Sequence, residues 1–362
     1  MNTNKTLPSR YYNDPEIYEK EKRKILYRSW HYAGHKSQVK NPGDYLTFQI
    51  GDENLIIIRG NDEQLNGFIN VCRHRAHKLL EGSGSVKSIT CPYHAWNYSR
   101  DGELNHAQNA HKMTDFDKSD YCLSSFQVTT IHDFIFANLD KNAPSLNEQA
   151  GDFEKDLQLR IPFLDRLKPM KSDMGRPSSI NANWKVVIDN YLECYHCTKA
   201  HPAFVTLVDM EHYQTEIYDI WSRQYVSSTK PKNKAYEFEK NATVQDMCFW
   251  FLWPTTALGY LPGVEALFFS SILPNNVNKT TRVGHWLIAD GTELPKNFND
   301  YMNDVLFIED IALCESVHKG LQSRSYDRGP YMVDRDHSGI SEIAVQHFHG
   351  LVQKALGSME KN

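Results

Sequence analysis

Two short segments that each combine a cysteine with a histidine constrain the fold of this chain most. They are Cys72-x-His74 and Cys91-x-x-His94, with 16 residues between His74 and Cys91. A finger-type zinc site pairs cysteine with cysteine in one arm and histidine with histidine in the other, whereas each arm here is mixed. Mixed arms suit a [2Fe–2S] centre in which one iron takes both thiolates and the other takes both imidazoles. A structural zinc site and a coincidence of two Cys/His pairs are the alternatives.

A second group of potential metal ligands lies on and just after a helix that the apolar pattern predicts over residues 184–200. One polar stripe of this helix contains Asp189, Asn190, Glu193 and His196. Taken alone, that stripe is most simply a solvated face. His201 follows His196 by five residues, about 140° around an ideal helix, so both imidazoles can reach one metal only if the helix is interrupted. Pro202 disfavours helical geometry at His201 and supplies that interruption.

The third ligand of such a site is expected to be a buried acid elsewhere in the chain. A helix predicted over residues 298–324 contains Asp310 in the middle of an apolar stripe, whereas Asp304 lies off that stripe. Two histidines and one carboxylate with open coordination positions form the facial triad of a non-haem Fe(II) site that activates oxygen. The alternative is a buried acid paired with an arginine or a backbone donor.

The length of the chain predicts two domains, because 362 residues exceed what one small core absorbs. An N-terminal helical segment, residues 1–30, precedes β-type runs and turn residues that predict a compact β-rich domain over residues 31–145. The polar, proline-containing residues 146–179 are expected to be a linker. Residues 180–362 are expected to form a second domain, of α+β type.

Charge and cysteine usage exclude several classes of function. The 40 basic and 45 acidic residues give a net charge of −5 without a long basic run, so neither a nucleic-acid nor a membrane-surface partner is indicated. No signal peptide and no membrane-spanning stretch is recognisable, which predicts a cytoplasmic protein. Seven cysteines, an odd number, predict thiols that stay reduced.

Together the two constellations resemble the motifs of the Rieske non-haem iron oxygenases. The first pattern, with Trp96 just beyond it, resembles the family's Rieske domain, and the segment from Asn183 to His201 is similar to its catalytic motif. The motifs occur in the family's order and span most of the chain. The resemblance implies a β-rich Rieske [2Fe–2S] domain plus a catalytic domain of helix-grip fold, in which a curved antiparallel sheet wraps around a helix.

The resemblance also implies roles for individual residues. The implied ligands are Cys72, His74, Cys91 and His94 for the [2Fe–2S] cluster, with both cysteines on one iron, and His196, His201 and Asp310 for the mononuclear Fe(II). Glu193 would be the bridging acid that relays electrons from the Rieske cluster of a neighbouring subunit, and Asp189 and Asn190 are further catalytic candidates. Relay between subunits implies a head-to-tail ring, which in this family is a homotrimer.

An aromatic-rich stretch that begins at residue 249 is expected to line the substrate cavity. Phe251, Trp253 and Tyr260 are the candidate contacts, since aromatic faces attract quaternary ammonium groups, although ordinary sheet core is the alternative. The sequence Tyr-Leu-Glu-Cys-Tyr-His-Cys around Glu193 resembles the branch that acts on carnitine, glycine betaine, stachydrine and choline. The resemblance therefore implies a monooxygenase that uses O2 to hydroxylate or N-demethylate a quaternary ammonium compound.

The chain lacks a Gly-x-Gly-x-x-Gly fingerprint, so a separate reductase is expected to oxidise NAD(P)H. Two other functions remain open. One is an aromatic ring-hydroxylating oxygenase that acts on an aromatic acid. The other is a non-enzymatic Rieske electron carrier, which would need only the first of the two centres.

Overall fold

The computed structural model describes residues 4–170 and 177–357, and these form two compact units. One unit comprises residues 26–146, and the other combines residues 1–25 with residues 147–362. The ends of the predicted N-terminal segment and second domain, and residues 171–176 of the predicted linker, lie outside the described residues.

The unit of residues 26–146 is built on an antiparallel seven-stranded sheet with the order β1-β10-β9-β4-β3-β2-β5, beside a three-stranded sheet, β6-β7-β8. The strands are β1 (His31–His35), β2 (Asp44–Ile50), β3 (Glu53–Arg59), β4 (Leu65–Ile69), β5 (Ser83–Ser85), β6 (Ile89–Thr90), β7 (Asn97–Tyr98), β8 (Leu104–His106), β9 (Ser125–Ile131) and β10 (Phe134–Asn138). Strand β3 lies inside the sheet, and its run Leu55 to Ile58 is fully buried on both faces. The predicted β-rich first domain is therefore observed.

The other unit contains a larger antiparallel sheet with the order β11-β18-β17-β16-β15-β14-β13, in which β12 also pairs with β18. Its strands are β11 (Leu167–Pro169), β12 (Ser178–Ile180), β13 (Gln214–Ile217), β14 (Trp221–Val226), β15 (Met247–Leu252), β16 (Thr256–Tyr260), β17 (Ala266–Asn276) and β18 (Lys279–Ala289). Together with its helices, this curved sheet makes the unit α+β, as predicted.

The helices that accompany this sheet vary greatly in length. They are α1 (Arg10–Asn13), α2 (Pro15–Lys24), α3 (Leu146–Ala150), α4 (Phe153–Arg160), α5 (Trp184–Tyr191), α6 (Cys197–Ala200), α7 (Phe204–Leu207), α8 (Phe298–Asp300), α9 (Phe307–Leu321) and α10 (Ile343–Leu356). A π-helical stretch, Tyr301–Leu306, joins α8 to α9. The Asn183 side chain accepts a hydrogen bond from the backbone N–H of Lys185 and so caps α5, whose apolar side chains are buried.

The structure corrects the predicted boundaries. The expected linker contains α3, α4 and two strands that pair with β18, and the buried side chains of Phe153, Leu157 and Phe163 anchor it. Apolar residues were spaced among its polar residues and prolines, so the polar composition was misleading. The N-terminal segment also belongs to the unit that contains the larger sheet, as far as residue 25.

Among the described residues, no helix combines the length and the apolar character that crossing a bilayer requires.

Candidate metal centres and substrate cavity

The two Cys/His arms form a pair of similar loops at one end of the first unit. In each loop the cysteine carbonyl accepts a hydrogen bond of 3.0 Å from the alanine four residues later, Ala76 or Ala95. Both alanines have a positive φ, 56° and 55°. Each cysteine N–H also closes its loop, by donating to the carbonyl of His77 or Trp96. The two arms therefore present their ligands from matching turns.

The thiols of this site lie inside, and the imidazoles lie at the surface. Cys72 and Cys91 are 3% and 2% exposed and belong to the core of the unit, whereas His74 is exposed. The ring centroids of His74 and His94 are 4.6 Å apart, and His74 stacks on Trp96 at 4.9 Å. Two thiols at one end of a site and two imidazoles at the other match the donor set of a cluster with one thiolate-bound and one imidazole-bound iron.

Hydrogen bonds to the sulfurs complete this site. The hydroxyl of Tyr98 lies 3.3 Å from Cys72 Sγ. Burial raises the pKa of the Cys91 thiol, and hydrogen bonds from the backbone N–H groups of Tyr93 and His94 act against that rise. Donors aimed at a sulfur stabilise a thiolate, which is the form that binds iron.

The second group of ligands is positioned by a break in the predicted helix. Helix α5 ends at Tyr191, and a turn then leads to the short α6, with His196 at its N-terminal and His201 at its C-terminal boundary. The continuous helix predicted to residue 200 is therefore wrong, because helical geometry is lost before His196. Between the two histidines Cys197–Ala200 is helical, and the interruption expected there is found only at His201 itself, with φ −118° and ψ 66°.

Three side chains converge at this break. The Nε2 atoms of His196 and His201 are 3.1 Å apart. Asp310 Oδ1 lies 3.6 Å from the first of these nitrogens and 3.0 Å from the second. One ligand atom from each residue lies within 4.8 Å of the other two, which is close enough to hold a single metal ion. This donor set fits the facial triad of non-haem Fe(II) sites.

Two glutamates hold the remaining nitrogens of the histidines. Glu193 Oε1 lies 2.5 Å from His196 Nδ1, and Glu309 Oε2 lies 2.8 Å from His201 Nδ1. Each imidazole can therefore donate from Nδ1 to a carboxylate and direct its Nε2 lone pair at a metal. Sequence reasoning identified Glu193 but missed Glu309. The signal that could have identified Glu309 was its position immediately before Asp310 on the same helix.

The electrostatics of the three converging side chains favour their charged forms. Burial opposes protonation of His196, but the hydrogen bonds that its imidazole donates to Asp310 and Glu193 outweigh this effect and raise its pKa to about 9. Burial opposes ionisation of Asp310, but hydrogen bonds with the two histidines outweigh it and lower its pKa. Asp310 is therefore held as a carboxylate, the form that coordinates a cation.

Family models match both units. The model described as the Rieske [2Fe-2S] domain matches residues 29–126, and the model described as the ring hydroxylating alpha subunit (catalytic domain) matches residues 164–358. The chain is a Rieske non-haem iron oxygenase. The expected membership is thus confirmed, and the oxygenase carries both a Rieske [2Fe–2S] cluster and a mononuclear iron.

Relatives of this oxygenase align over nearly its whole length. It is 36% identical to the carnitine monooxygenase oxygenase subunit of Escherichia coli (strain K12), covering 97% of this chain and 94% of that one. It is 30% identical to the chloroplastic choline monooxygenase of Beta vulgaris, covering 97% of this chain and 77% of that one. The crystal structure of the quaternary ammonium Rieske monooxygenase CntA with L-carnitine is similar at a TM-score of 0.87 and 33% identity, covering 98% and 96% of the two chains.

Asp189 is not among the three side chains that converge on the candidate metal centre. Its carboxylate accepts a hydrogen bond of 2.7 Å from Tyr12 and lies 2.9 Å from His349 Nε2. It therefore links α5 to α1 and α10, and its catalytic role stays a prediction. Asn190 does line the cavity beside the triad, as well as a second cavity of about 260 Å³ on the side of Glu193.

A cavity of about 110 Å³ lies next to Asp310 and contains none of the three predicted substrate contacts in its lining. Its aromatic residues are Tyr191, Phe249, Phe268 and Phe307. Phe251 and Trp253 instead pack against Phe348, at 5.7 and 5.8 Å between ring centroids. Tyr260 points to the opposite face of the sheet, where its hydroxyl donates to Asp246. Successive side chains of a strand point to opposite faces, which places Tyr260 on the face away from the cavity. The sequence did not reveal which helices and loops cover each face.

Cys194 and Cys197 form a disulfide on either side of His196 in the sequence, which corrects the expectation that all thiols are reduced. The turn between α5 and α6 brings their Cα atoms to 4.9 Å, within the range that a disulfide spans. The free cysteines are Cys72, Cys91, Cys122, Cys248 and Cys314.

Proposed function

We propose that this chain is the oxygenase component of a Rieske monooxygenase that hydroxylates a quaternary ammonium compound. The observation that carries the proposal is the aromatic cavity beside Asp310, where Tyr191, Phe249 and Phe268 can surround a desolvated cation. The Tyr191 hydroxyl donates to two backbone carbonyls, of Trp250 and Leu258, which fixes the orientation of its ring. The similarity to relatives named for carnitine and choline supports the same substrate class.

The proposed iron ligands follow from the two sites described above. Cys72 and Cys91 would hold one iron of the cluster, and His74 and His94 the other. His196, His201 and Asp310 would hold the mononuclear iron, because their ligand atoms already converge. When bound there, Fe(II) supplies oxygen activation with electrons that arrive singly from the cluster.

The chain's own residues would orient the iron-binding imidazoles and limit access of water to the substrate. Glu193 and Glu309 fix the tautomers of the two histidines, and the mainly apolar lining of the cavity beside Asp310 disfavours water next to the reacting carbon. Hydroxylation of a C–H bond by O2 consumes two electrons and two protons and releases one water. A hydroxylated N-methyl carbon then loses its C–N bond and leaves as formaldehyde, and the demethylated amine remains. A hydroxylated chain carbon next to nitrogen also loses its C–N bond, which releases the tertiary amine and leaves the chain as an aldehyde.

Glu193 is the proposed relay between subunits. It contacts His196 Nδ1 and also lines the cavity of about 260 Å³ beside α5. A relay from a neighbouring subunit requires a closed ring, for which a homotrimer is the proposed form. We also propose an NAD(P)H-dependent reductase as partner and a cytoplasmic location; both rest on the sequence.

A substrate panel followed by oxygen uptake tests this function. Purified oxygenase, with a surrogate reductase, is expected to consume O2 with carnitine, γ-butyrobetaine, glycine betaine or choline, and to form a hydroxylated or demethylated product. Uptake with benzoates and none with the ammonium compounds would replace the proposal with ring hydroxylation. A purely electron-carrying protein would show no substrate-dependent uptake at all.

A further inference from the structure

A buried arginine forms part of the wall of the cavity beside Asp310. Arg282 is 8% exposed, and its Nη2 atom is buried without a hydrogen-bond partner among the described residues. Its Nε donates to Ser270 Oγ at 3.1 Å, and its guanidinium carbon lies 3.6 Å from the centroid of the Phe307 ring. Within the described residues no carboxylate approaches its nitrogens to ion-pair distance. A buried cation with an unpaired N–H donor costs folding free energy unless a ligand accepts a hydrogen bond from that donor.

Two strands place Arg282 at the opposite end of the cavity from the aromatic pair. Arg282 on β18 lies opposite Ile272 on β17, and Phe268 precedes Ile272 by four residues on the same face. Four residues of extended strand span about 13 Å. Phe268 in turn packs against Phe249 at 5.5 Å between ring centroids. The cavity therefore has an aromatic end and a cationic end.

This arrangement matches a molecule that carries opposite charges at its two ends. A quaternary ammonium group is stabilised by aromatic faces and repelled by a guanidinium, so it belongs at the Phe249 and Phe268 end. A carboxylate is bound by a guanidinium through short, directional hydrogen bonds. A substrate without a carboxylate leaves the Arg282 donor unused and places a second positive charge in the cavity.

We propose that Arg282 is the carboxylate receptor of the substrate site, so that this oxygenase selects zwitterionic ammonium carboxylates over ammonium alcohols such as choline. The inference rests on the proposed function and narrows its substrate class. Arg282 is thus a specificity residue that touches substrate and not iron.

The rival role for Arg282 is to balance the charge of Asp310. Burial lowers the pKa of Arg282 to about 10, and the Asp310 carboxylate opposes that change. A charge-balancing role predicts that removing the guanidinium weakens iron binding and affects all substrates equally. A receptor role predicts a loss confined to substrates that carry a carboxylate.

The wild-type oxygenase provides a test that needs no variant. Anaerobic calorimetry would compare γ-butyrobetaine with its methyl ester, which keeps the ammonium group and the chain but lacks the negative charge. The receptor role predicts at least tenfold weaker binding of the ester. Equal dissociation constants would overturn the inference.

Arg282→Gln extends the test, with Arg166→Gln as the matched control, since Arg166 lies elsewhere in the same unit and pairs with Glu265. Arg282→Gln is expected to weaken γ-butyrobetaine binding at least tenfold and to leave choline binding unchanged or tighter. Arg282→Lys is expected to recover part of the loss. An equal loss for both ligands, or a loss of mononuclear iron, would favour charge balancing and reject the receptor role.

Different results would contradict the proposed function and the proposed role of Arg282. If no ammonium compound binds or reacts with the wild-type protein, the proposed function is wrong. If choline binds as well as γ-butyrobetaine and the ester binds as well as the acid, the function stands and the role of Arg282 is wrong.

Discussion

At the scale of single residues, the iron site is defined by which atom of each histidine is free. Glu193 and Glu309 occupy the two Nδ1 atoms and leave both Nε2 atoms directed at Asp310. A sequence motif names the histidines, but only the contacts show which nitrogen is available. The most informative variants at this scale remove one carboxylate at a time.

Asp310→Ala is expected to abolish product formation and to lower mononuclear iron to below a tenth of the wild-type content. The proposed cluster ligands lie in another unit, so the visible Rieske spectrum should not change. Iron analysis, spectroscopy and a product assay measure the three quantities. Asp327→Ala removes an exposed carboxylate as control. Continued turnover by Asp310→Ala would show that a different acid binds the iron.

Glu309→Gln is expected to weaken iron binding by roughly 10- to 100-fold, because the amide no longer holds His201 as a carboxylate does. Activity should return when excess ferrous ion is added, which separates this role from that of a direct ligand. Iron retained after dialysis against a chelator measures the effect. Iron retention equal to that of the wild type would mean that Glu309 does not support the site.

At the scale of elements, a buried ion pair ties α2 to α5. Glu21 and Lys185 are both fully buried, and the Lys185 Nζ to Glu21 Oε1 distance is 2.7 Å. The Trp184 indole N–H also donates to Glu21. Because α5 leads directly into the turn that carries Glu193 and His196, the N-terminal helix supports the iron site through this pair.

Glu21→Ala is expected to destabilise the catalytic unit by about 3–5 kcal/mol, since it leaves the Lys185 charge buried without a partner. Glu19→Ala, which removes a partly exposed partner of Lys22, should cost no more than about 1 kcal/mol. Thermal unfolding measures both. Similar effects for the two variants would show that the buried pair contributes little.

A buried histidine on β1, His31, makes the stability of the unit of residues 26–146 depend on pH. Burial lowers the pKa of His31 to about 4, although its hydrogen bond to the Leu26 carbonyl acts in the opposite direction. The unfolded chain binds a proton near pH 6.5 and the folded chain does not, so stability is full above that pH and falls as the pH drops toward 4.

Lowering the pH from 7.5 to 5 is expected to cost about 2 kcal/mol through His31 alone. In His31→Gln this part of the pH dependence should disappear, although the variant is less stable at neutral pH. Urea unfolding at the two pH values measures the difference. An unchanged pH dependence in the variant would exclude His31 as its source.

At the scale of the whole molecule, the proposed electron transfer between subunits requires an assembly. This can be tested by coexpressing two differently tagged inactive variants, His74→Ala and Asp310→Ala. In every mixed trimer, one of the three junctions joins an intact cluster to an intact mononuclear site, so mixed rings isolated through both tags should recover about a third of the wild-type activity. Mixed rings that remain inactive would place the electron transfer within one chain.

The sequence alone determined the family, both constellations of candidate iron ligands and the acid on α9, because metal ligands need particular residue types at particular spacings. It also determined the need for a helix interruption before His201. Tertiary structure decided the rest. The role of Glu309, the disulfide and the cavity wall depend on which distant segments pack together, and local patterns do not carry that information. Arg282 reads in the sequence as an ordinary strand residue, and its significance arises only because the fold buries it beside Asp310.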